Sequence, residues 1–295
     1  MNKIKARLAV GLIRIVSLLS LASVQKLGAF LGMVLWRTGS SPAKVTKINI
    51  DLCFPERSEA EREKLAAQSL QETCKTFLEM GAIWEWPVSK SLGLVREVKN
   101  KRLFDEARAS GQGLIVLGPH LGNWELSGLY LSSLTEMAAL YRPPKVKELE
   151  TYMSQVRGRS GSELVPTDKR GVIRLFSILK RGGVVGVLPD QVPDDSGGVF
   201  VPFFGVPANT IKLVSKMVEK TGARVLCLYA QRLPSGHGFV LVFRDVDPLL
   251  YSRDLTDSVT GLNKSVERCV LDIPTQYQWE YKRFKHYQPG RERYY

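Results

Sequence analysis

The chain has 295 residues, 44% of them apolar, and a formal net charge of +13. This length is enough to bury one large hydrophobic core or two smaller ones, which excludes a small scaffold held together by disulfides or a metal ion. The four cysteines are scattered, with no Cys-x-x-Cys pair, and predict reduced thiols. The positive charge predicts a negatively charged partner, which composition alone leaves open as nucleic acid, anionic lipid or an acidic protein.

Residues 1–40 are predicted to form a membrane-associated helical segment, because basic residues (Lys3, Lys5, Arg7) precede a long apolar stretch. A bilayer-spanning helix needs about twenty apolar residues, and Arg14 interrupts the first candidate early. Three structures stay open: a helix over about 8–24 in the headgroup plane followed by a second one, a true membrane anchor, or two amphipathic helices packed on a soluble core. A cleaved signal peptide is disfavoured because the apolar region continues past the cleavage position.

The remainder, residues 41–295, is predicted to fold as one α/β domain. Ser58 is a typical helix N-cap, and apolar residues at helical spacing follow it as far as residue 86. Short apolar runs bounded by Gly and Pro then alternate with helical patterns, which favours helices around a mostly parallel central sheet. The predicted strands are 114–117, 184–188, 224–229 and 239–243, and the predicted helices between them are 126–134, 172–180 and 212–220.

One segment, 113–125, joins a fully apolar strand to a turn with polar side chains. Open α/β sheets bind ligands at the carboxyl ends of their strands, so His120 is placed where a substrate would lie. We expect the carboxylate of Glu125, in the first turns of the next helix, to contact one imidazole nitrogen and leave the other free to accept a proton from an alcohol. The alternative is a strand-end histidine that only satisfies a backbone carbonyl.

Other chemistries find little support in the sequence. It contains no Gly-x-Ser-x-Gly elbow and no Walker A loop. His237 lies in a Pro-Ser-Gly-His-Gly segment that predicts a surface hairpin turn. Asp190, Asp194 and Asp195 belong to a Pro/Asp/Gly-rich loop, for which a solvated turn is favoured over a metal site. We therefore expect no metal and no cofactor.

The spacing of His120 and Glu125 resembles the His-x4-Asp/Glu motif of the lysophospholipid acyltransferase superfamily. The surrounding sequence resembles the bacterial lipid A late acyltransferases, of the lauroyl and myristoyl transferase type. A lone His-x4-Glu pattern is weak, whereas six ordered blocks along the chain are specific. The blocks are 49–56 (Asn-Ile-Asp-Leu-Cys-Phe-Pro-Glu), 118–125, 141–143 (Tyr-Arg-Pro), 187–191 (Val-Leu-Pro-Asp-Gln), 200–207 (Phe-Val-Pro-Phe-Phe-Gly-Val-Pro) and 274–285.

This resemblance implies an O-acyltransferase of lipopolysaccharide biosynthesis with a glycerolipid acyltransferase-like fold, at the cytoplasmic face of a bacterial inner membrane. It implies acyl carrier protein as the partner that brings the acyl group and a Kdo-bearing lipid A precursor as the anionic acceptor, with no nucleic acid as partner. Two alternatives stay open. One is an acyl-CoA-dependent enzyme acting on another glycolipid or a lysophospholipid, and the other is a non-catalytic basic protein that binds membrane or nucleic acid.

In the expected mechanism, His120 takes the proton of the acceptor hydroxyl as its oxygen attacks the thioester, with Glu125 beside it. The family pattern places a basic residue a few tens of positions after the histidine, and Arg157 and Arg159 match it as candidates to stabilise the oxyanion. Further candidates for substrate binding are Asn123, Asp190, Gln191 and Arg142.

The acyl chain requires an apolar channel beside these polar residues. Each methylene that leaves water contributes about 0.8 kcal/mol, so the channel decides how tightly a long chain binds. Four apolar residues in or next to these blocks are predicted to line it, although core packing would explain them as well: Leu126, Phe200, Phe203 and Phe204.

Overall fold

A computed structural model describes residues 3–141, 143–144, 146–286 and 293–295. Two antiparallel strands form a small separate hairpin, and the other strands form one sheet. The strands are β1 (Val95–Lys99), β2 (Leu114–Leu117), β3 (Met137–Tyr141), β4 (Glu163–Pro166), β5 (Val184–Val187), β6 (Gly198–Phe203), β7 (Val206–Ile211), β8 (Arg224–Arg232) and β9 (Phe239–Asp245).

The central sheet has seven strands in the order β1-β9-β8-β2-β5-β3-β4. β2 pairs in parallel with both β5 and β8, and β3 pairs in parallel with both β5 and β4. β9 runs antiparallel to β8 and carries β1 in parallel at the edge. The predicted fold, an α/β domain with a mostly parallel mixed sheet, is therefore confirmed.

Helices cover both faces of this sheet. Successive residues of a strand point to opposite faces, so Ile115 and Leu117 join one hydrophobic core while Leu114 and Val116 join the other. The helices are α1 (Lys3–Ser17), α2 (Leu21–Arg37), α3 (Ser41–Cys53), α4 (Glu59–Glu85), α5 (Val88–Leu92), α6 (Lys101–Ala109), α7 (Trp124–Leu134), α8 (Lys147–Gly158), α9 (Lys169–Lys180), α10 (Leu213–Thr221) and α11 (Leu255–Asp272).

The predicted elements occur where the periodicity is strong. The four predicted strands correspond to β2, β5, β8 and β9, and the three predicted helices between them correspond to α7, α9 and α10. The N-cap is also confirmed, because the Ser58 hydroxyl accepts a hydrogen bond from the backbone of Glu61, and the Glu61 carboxylate accepts one from the backbone of Ser58.

The N-terminal segment consists of two helices packed on α4. A Cβ atom added at Gly32 would lie 2.3 Å from the Cα atom of Gln71, so α2 approaches the α4 backbone closely. The predicted first helix over about 8–24 is wrong at its end: α1 stops at Ser17, and Ser20 caps α2 by accepting a hydrogen bond from Ser23. The division of the chain at residue 40 stays a prediction.

Many apolar side chains of α1 and α2 remain exposed. On α1 they include Ile4, Leu8 and Leu12, and on α2 they include Phe30. In the described part of the chain, no helix combines the length and the hydropathy needed to cross a membrane.

Candidate active site

The turn after β2 holds His120 in a fixed position at the carboxyl edge of the sheet. Its backbone N–H donates to Asp190 at 2.8 Å, and its carbonyl accepts from the backbone of Gln278 at 3.1 Å. Gly122 continues the turn with φ +61°, and a Cβ atom there would lie 1.9 Å from the carbonyl oxygen of Ala230. Only glycine fits this left-handed, closely packed position.

The imidazole of His120 bonds to Asp190 on one side and to Gln191 on the other. Nδ1 lies 2.8 Å from the carboxylate of Asp190, and since a carboxylate only accepts, Nδ1 carries the proton. The Gln191 amide nitrogen donates to Nε2 at 3.2 Å and to the side-chain oxygen of Gln278 at 3.2 Å. Nε2 is therefore the unprotonated nitrogen, which is the arrangement that a general base requires.

Glu125 makes different contacts from those predicted. Its carboxylate accepts hydrogen bonds from the indole of Trp84 at 2.9 Å and from Nε of Arg157 at 3.1 Å, with a second, shorter bond from the same guanidinium. The prediction that Glu125 contacts the imidazole is thus wrong. The imidazole bonds to Asp190, and Glu125 binds Arg157 instead. Glu125 and His120 nevertheless line the same cavity.

Both carboxylates are ionised in the folded protein. Burial alone would raise the pKa of Asp190, but the positive charge that His120 carries once it is protonated and the hydrogen bonds from its ring and backbone outweigh burial and hold that pKa below its usual value. Burial would likewise raise the pKa of Glu125, and the charge and hydrogen bonds of Arg157 outweigh it and lower that pKa. The site therefore contains two buried anions, each with its own cationic or protonatable partner.

The two candidate arginines have different roles in the structure. Arg157 forms an ion pair with Glu125, and its guanidinium carbon lies 5.6 Å from the centre of the Tyr141 ring. Arg159 donates to the backbone carbonyls of Trp84 and Trp86, at 2.8 and 2.7 Å, and so satisfies the carboxyl end of α4. Of the two, Arg157 is the one held beside the other polar groups of the site.

Asn123 acts on the backbone of this region. It caps α7 by accepting a hydrogen bond from the backbone of Leu126 at 3.0 Å, and it donates to the fully buried Glu79 at 3.1 Å. Glu79 also pairs with the buried Arg232 of β8 at 2.6 Å and accepts from Gln25 of α2 at 2.9 Å. The helix that carries Glu125 is thereby tied to α4, β8 and the N-terminal segment.

A cavity of about 400 Å³ opens beside these groups. Its polar end contains His120, Glu125 and Gln191, and the ring of Trp124 lies 5.0 Å from the imidazole. Its other walls are mostly apolar, which is typical of a site for a greasy ligand with one reactive polar end. The apolar walls come from α4, α7, α8 and the strands β3 and β4, with Ile83, Gly128, Leu129, Met137, Ala139, Val156 and Leu164.

The residues predicted for the acyl channel are therefore corrected. Leu126 and Phe203 are buried in the hydrophobic cores, and Phe204 packs against one of them. Phe200 lies on β6, in the separate hairpin. The described lining of the cavity includes none of the four, because the inward faces of α7 and β3 supply it instead.

Several predicted residues have no assigned part in this site. Arg142, and the side chain of Asp195, lie outside the described part of the chain. His237 is exposed in the turn between β8 and β9, as predicted. Within the described residues, no three Asp, Glu, His or Cys side chains are grouped to bind a metal ion, and the four cysteines are free thiols.

Sequence reasoning missed residues whose contacts depend on the fold. Trp84 reaches the site from α4 and carries no local signal, whereas Gln278 reaches it from the segment after α11, within the block 274–285. Met137 lines the cavity from the start of a strand that was not predicted. Asp190 is predicted from the sequence as a substrate-binding residue, and the structure gives it another contact, the hydrogen bond to the imidazole.

The chain is similar over most of its length to known bacterial proteins. Residues 3–286 match the family described as bacterial lipid A biosynthesis acyltransferase. The chain is 28% identical over 282 residues to the lipid A biosynthesis lauroyltransferase of Escherichia coli K12, covering 94% of this chain and 90% of that protein. It is 29% identical to the palmitoleoyltransferase of the same organism (82% and 78% covered) and 27% identical to its myristoyltransferase (90% and 80% covered). The chain therefore belongs to the bacterial lipid A biosynthesis acyltransferase family.

Proposed function

We propose that this protein transfers a fatty acyl chain from an acyl carrier protein thioester to a hydroxyl group of a lipid A precursor, with His120 as general base. The observation that carries the proposal is the state of the imidazole: Nδ1 is held by Asp190, and the unprotonated Nε2 lies at the polar end of a mostly apolar cavity. An acyl thioester combines the same two features, a polar reacting group and a long apolar chain.

In the proposed reaction, Nε2 of His120 removes the proton from the acceptor hydroxyl while the oxygen attacks the thioester carbonyl carbon. The tetrahedral intermediate then collapses, the new ester forms and the carbon–sulfur bond breaks. The imidazolium returns its proton to the departing thiolate. Asp190 stabilises the imidazolium through the Nδ1 hydrogen bond, and so supplies the carboxylate role first predicted for Glu125.

Negative charge develops on the former carbonyl oxygen during this reaction and needs a positive group close by. Arg157 lines the cavity and is held in place by Glu125. Arg159 lines it as well, but its hydrogen bonds go to the end of α4. We therefore assign the stabilisation of the oxyanion to Arg157, and the positioning of Arg157 to Glu125.

The net charge of +13 supports an acidic donor carrier and an anionic acceptor. The acyl carrier protein and the phosphate and Kdo groups of a lipid A precursor both carry negative charge, which basic side chains recognise. We propose no cofactor and no metal for this reaction, because the thioester brings its own activated acyl group.

We also propose that α1 and α2 lie on the cytoplasmic face of the inner membrane. Apolar side chains on these helices are strongly exposed, for example Leu8 of α1 at 67% and Phe30 of α2 at 55%. Lys5 and Arg7 are exposed on the same helix as Leu8. An apolar face bordered by cations is typical of helices that bind an anionic bilayer surface.

The test is an assay of the purified full-length protein with acyl carrier protein and CoA thioesters side by side, and with a lipid A precursor or a lysophospholipid as acceptor. We expect product from the carrier thioester and the lipid A precursor. His120→Ala should abolish it, while His237→Ala, which alters an exposed turn, should retain it. Product from CoA and lysophospholipid alone, or full turnover by His120→Ala, would contradict the proposal.

A further inference from the structure

The apolar part of the cavity runs along β3 away from His120. Met137, Ala139 and Tyr141 alternate along this strand and share one face, and all three line the cavity. In the register of the sheet, Met137 lies beside Val184 at the amino end of β5, whereas Asp190 follows its carboxyl end. At roughly 3.3 Å per residue, the four steps from Tyr141 to Met137 span about 13 Å. The cavity thus extends from the reacting groups toward the opposite edge of the sheet.

Gly128 lines this cavity from α7, on the face of the helix that also presents Trp124 and Glu125. A Cβ atom added at Gly128 would meet no atom within 4 Å. Glycine inside a helix is about 1 kcal/mol less favourable than alanine, and no neighbouring atom in the protein explains its presence here. The missing side chain leaves room in the cavity one helical turn beyond the polar groups.

Met137 lines the cavity at the amino end of β3, on the side away from Asp190. Its side chain lies over Gly186, because a Cβ atom built on Gly186 would lie 2.7 Å from the terminal methyl group of Met137. Met137 is 7% exposed and belongs to the core on this side of the sheet. An unbranched thioether adapts its shape readily, so the end wall can be moved by substitution without rebuilding the sheet.

We propose that Gly128 and Met137 set the length of the acyl chain that the protein transfers. This inference rests on the proposed function, since it requires that the cavity hold the acyl chain of the thioester. A larger residue at position 128 occupies the middle of the channel and excludes the end of a long chain. A smaller residue at position 137 opens the end wall and admits a longer one.

The two substitutions should therefore shift chain-length preference in opposite directions. Each methylene of the acyl chain that gains or loses its apolar contacts changes kcat/KM by about fourfold, the equivalent of about 0.8 kcal/mol. Gly128→Leu should favour donors shorter by two methylenes or more, an approximately 15-fold change in the ratio of kcat/KM between long and short donors. Met137→Ala should shift the ratio toward longer donors.

The experiment offers the purified full-length variants a mixture of saturated acyl carrier protein thioesters and measures the chains transferred by mass spectrometry. Gly128→Ala, which has room for its added carbon, gives an intermediate step and a second variant if Gly128→Leu does not fold. Met153→Ala is the matched control, because Met153 on α8 packs against the same core and lies outside the cavity lining. It should leave the preferred chain unchanged.

The inference is overturned if folded Gly128 and Met137 variants transfer the same chain lengths as the wild type, or if Met153→Ala shifts the preference equally. That result would leave the proposed acyl transfer intact. A wild-type protein that transfers no acyl chain from any donor would instead remove the proposed function.

Discussion

Replacement of Asp190 by asparagine is the sharpest test of the imidazole geometry. Asp190 accepts two hydrogen bonds from His120, one from the backbone N–H and one from Nδ1, both at 2.8 Å. An asparagine side chain has one acceptor oxygen and one NH2 group, so it cannot accept both. If its oxygen keeps the backbone bond, its NH2 group faces Nδ1, and the ring must move its proton to Nε2 to accept that bond. The nitrogen that faces the substrate then has no lone pair with which to take a proton.

The size of the effect follows from the partners of the ring. In a serine protease triad, the corresponding Asp-to-Asn change lowers kcat about 10⁴-fold, the equivalent of about 5.4 kcal/mol. Here the wrong tautomer also brings Nε2–H against the donating amide of Gln191, which costs about 1 kcal/mol and partly disfavours that tautomer. We therefore expect kcat to fall about 10³- to 10⁴-fold, with a small change in KM.

The assay is steady-state acyl transfer by Asp190→Asn, with Asp105→Asn, an exposed residue of α6, as the matched control. A folded Asp190→Asn protein whose kcat falls less than tenfold would refute the assigned tautomer.

The pH dependence of stability gives a second measurement on the same variant. The pKa of Asp190 is lower in the folded than in the unfolded chain, so its contribution is present above the unfolded pKa and is lost as the pH falls through the folded one. The free energy of unfolding should therefore fall less steeply below about pH 4 in Asp190→Asn than in the wild type.

Three further variants test other parts of the protein. Glu125→Gln should lower kcat about 10²-fold, because it removes the anion that holds Arg157; an unchanged kcat would contradict this role. Gly122→Ala should destabilise the fold by about 1–3 kcal/mol, measured by urea unfolding, and a wild-type midpoint would show that the turn tolerates a Cβ atom. Leu8→Ser combined with Leu12→Ser should weaken binding to anionic vesicles at least tenfold in sedimentation assays, since each buried leucine contributes about 1.5–3 kcal/mol; full binding would remove α1 from the membrane contact.

Much of the sheet could be predicted because its central strands are buried on both faces. β2 and β5 are continuous apolar runs bounded by Gly and Pro, and this pattern is typical of a strand that is buried on both faces. β1 and β4 were missed for the opposite reason: they lie at the two edges of the sheet, are partly exposed and carry charged or polar residues. β3, which consists of Met-Ala-Ala-Leu-Tyr, is too rich in alanine to give a clear strand signal.

The site shows the same limit at the level of single residues. The place of His120 depends on the strand just before it, and the sequence predicted it. Its partner depends on which strand lies beside β2, and that strand is β5, about seventy residues further on. Glu125 is the nearer carboxylate to His120 in sequence, whereas Asp190 is the one that contacts its ring in space. Phe203 and Phe204 are large and apolar, which predicts either a channel wall or the core. In the structure Phe203 lies in the core and Phe204 packs against it.

The two carboxylates contribute to the proposed reaction at different moments. The ion pair of Glu125 and Arg157 already exists in the resting protein, so it fixes the position of a cation before any substrate arrives. The ion pair of Asp190 with an imidazolium forms only when His120 takes the proton of the acceptor. Only interactions that strengthen in the transition state accelerate the chemical step. Asp190 therefore acts directly on the barrier, whereas Glu125 acts through the guanidinium that it holds beside the developing oxyanion.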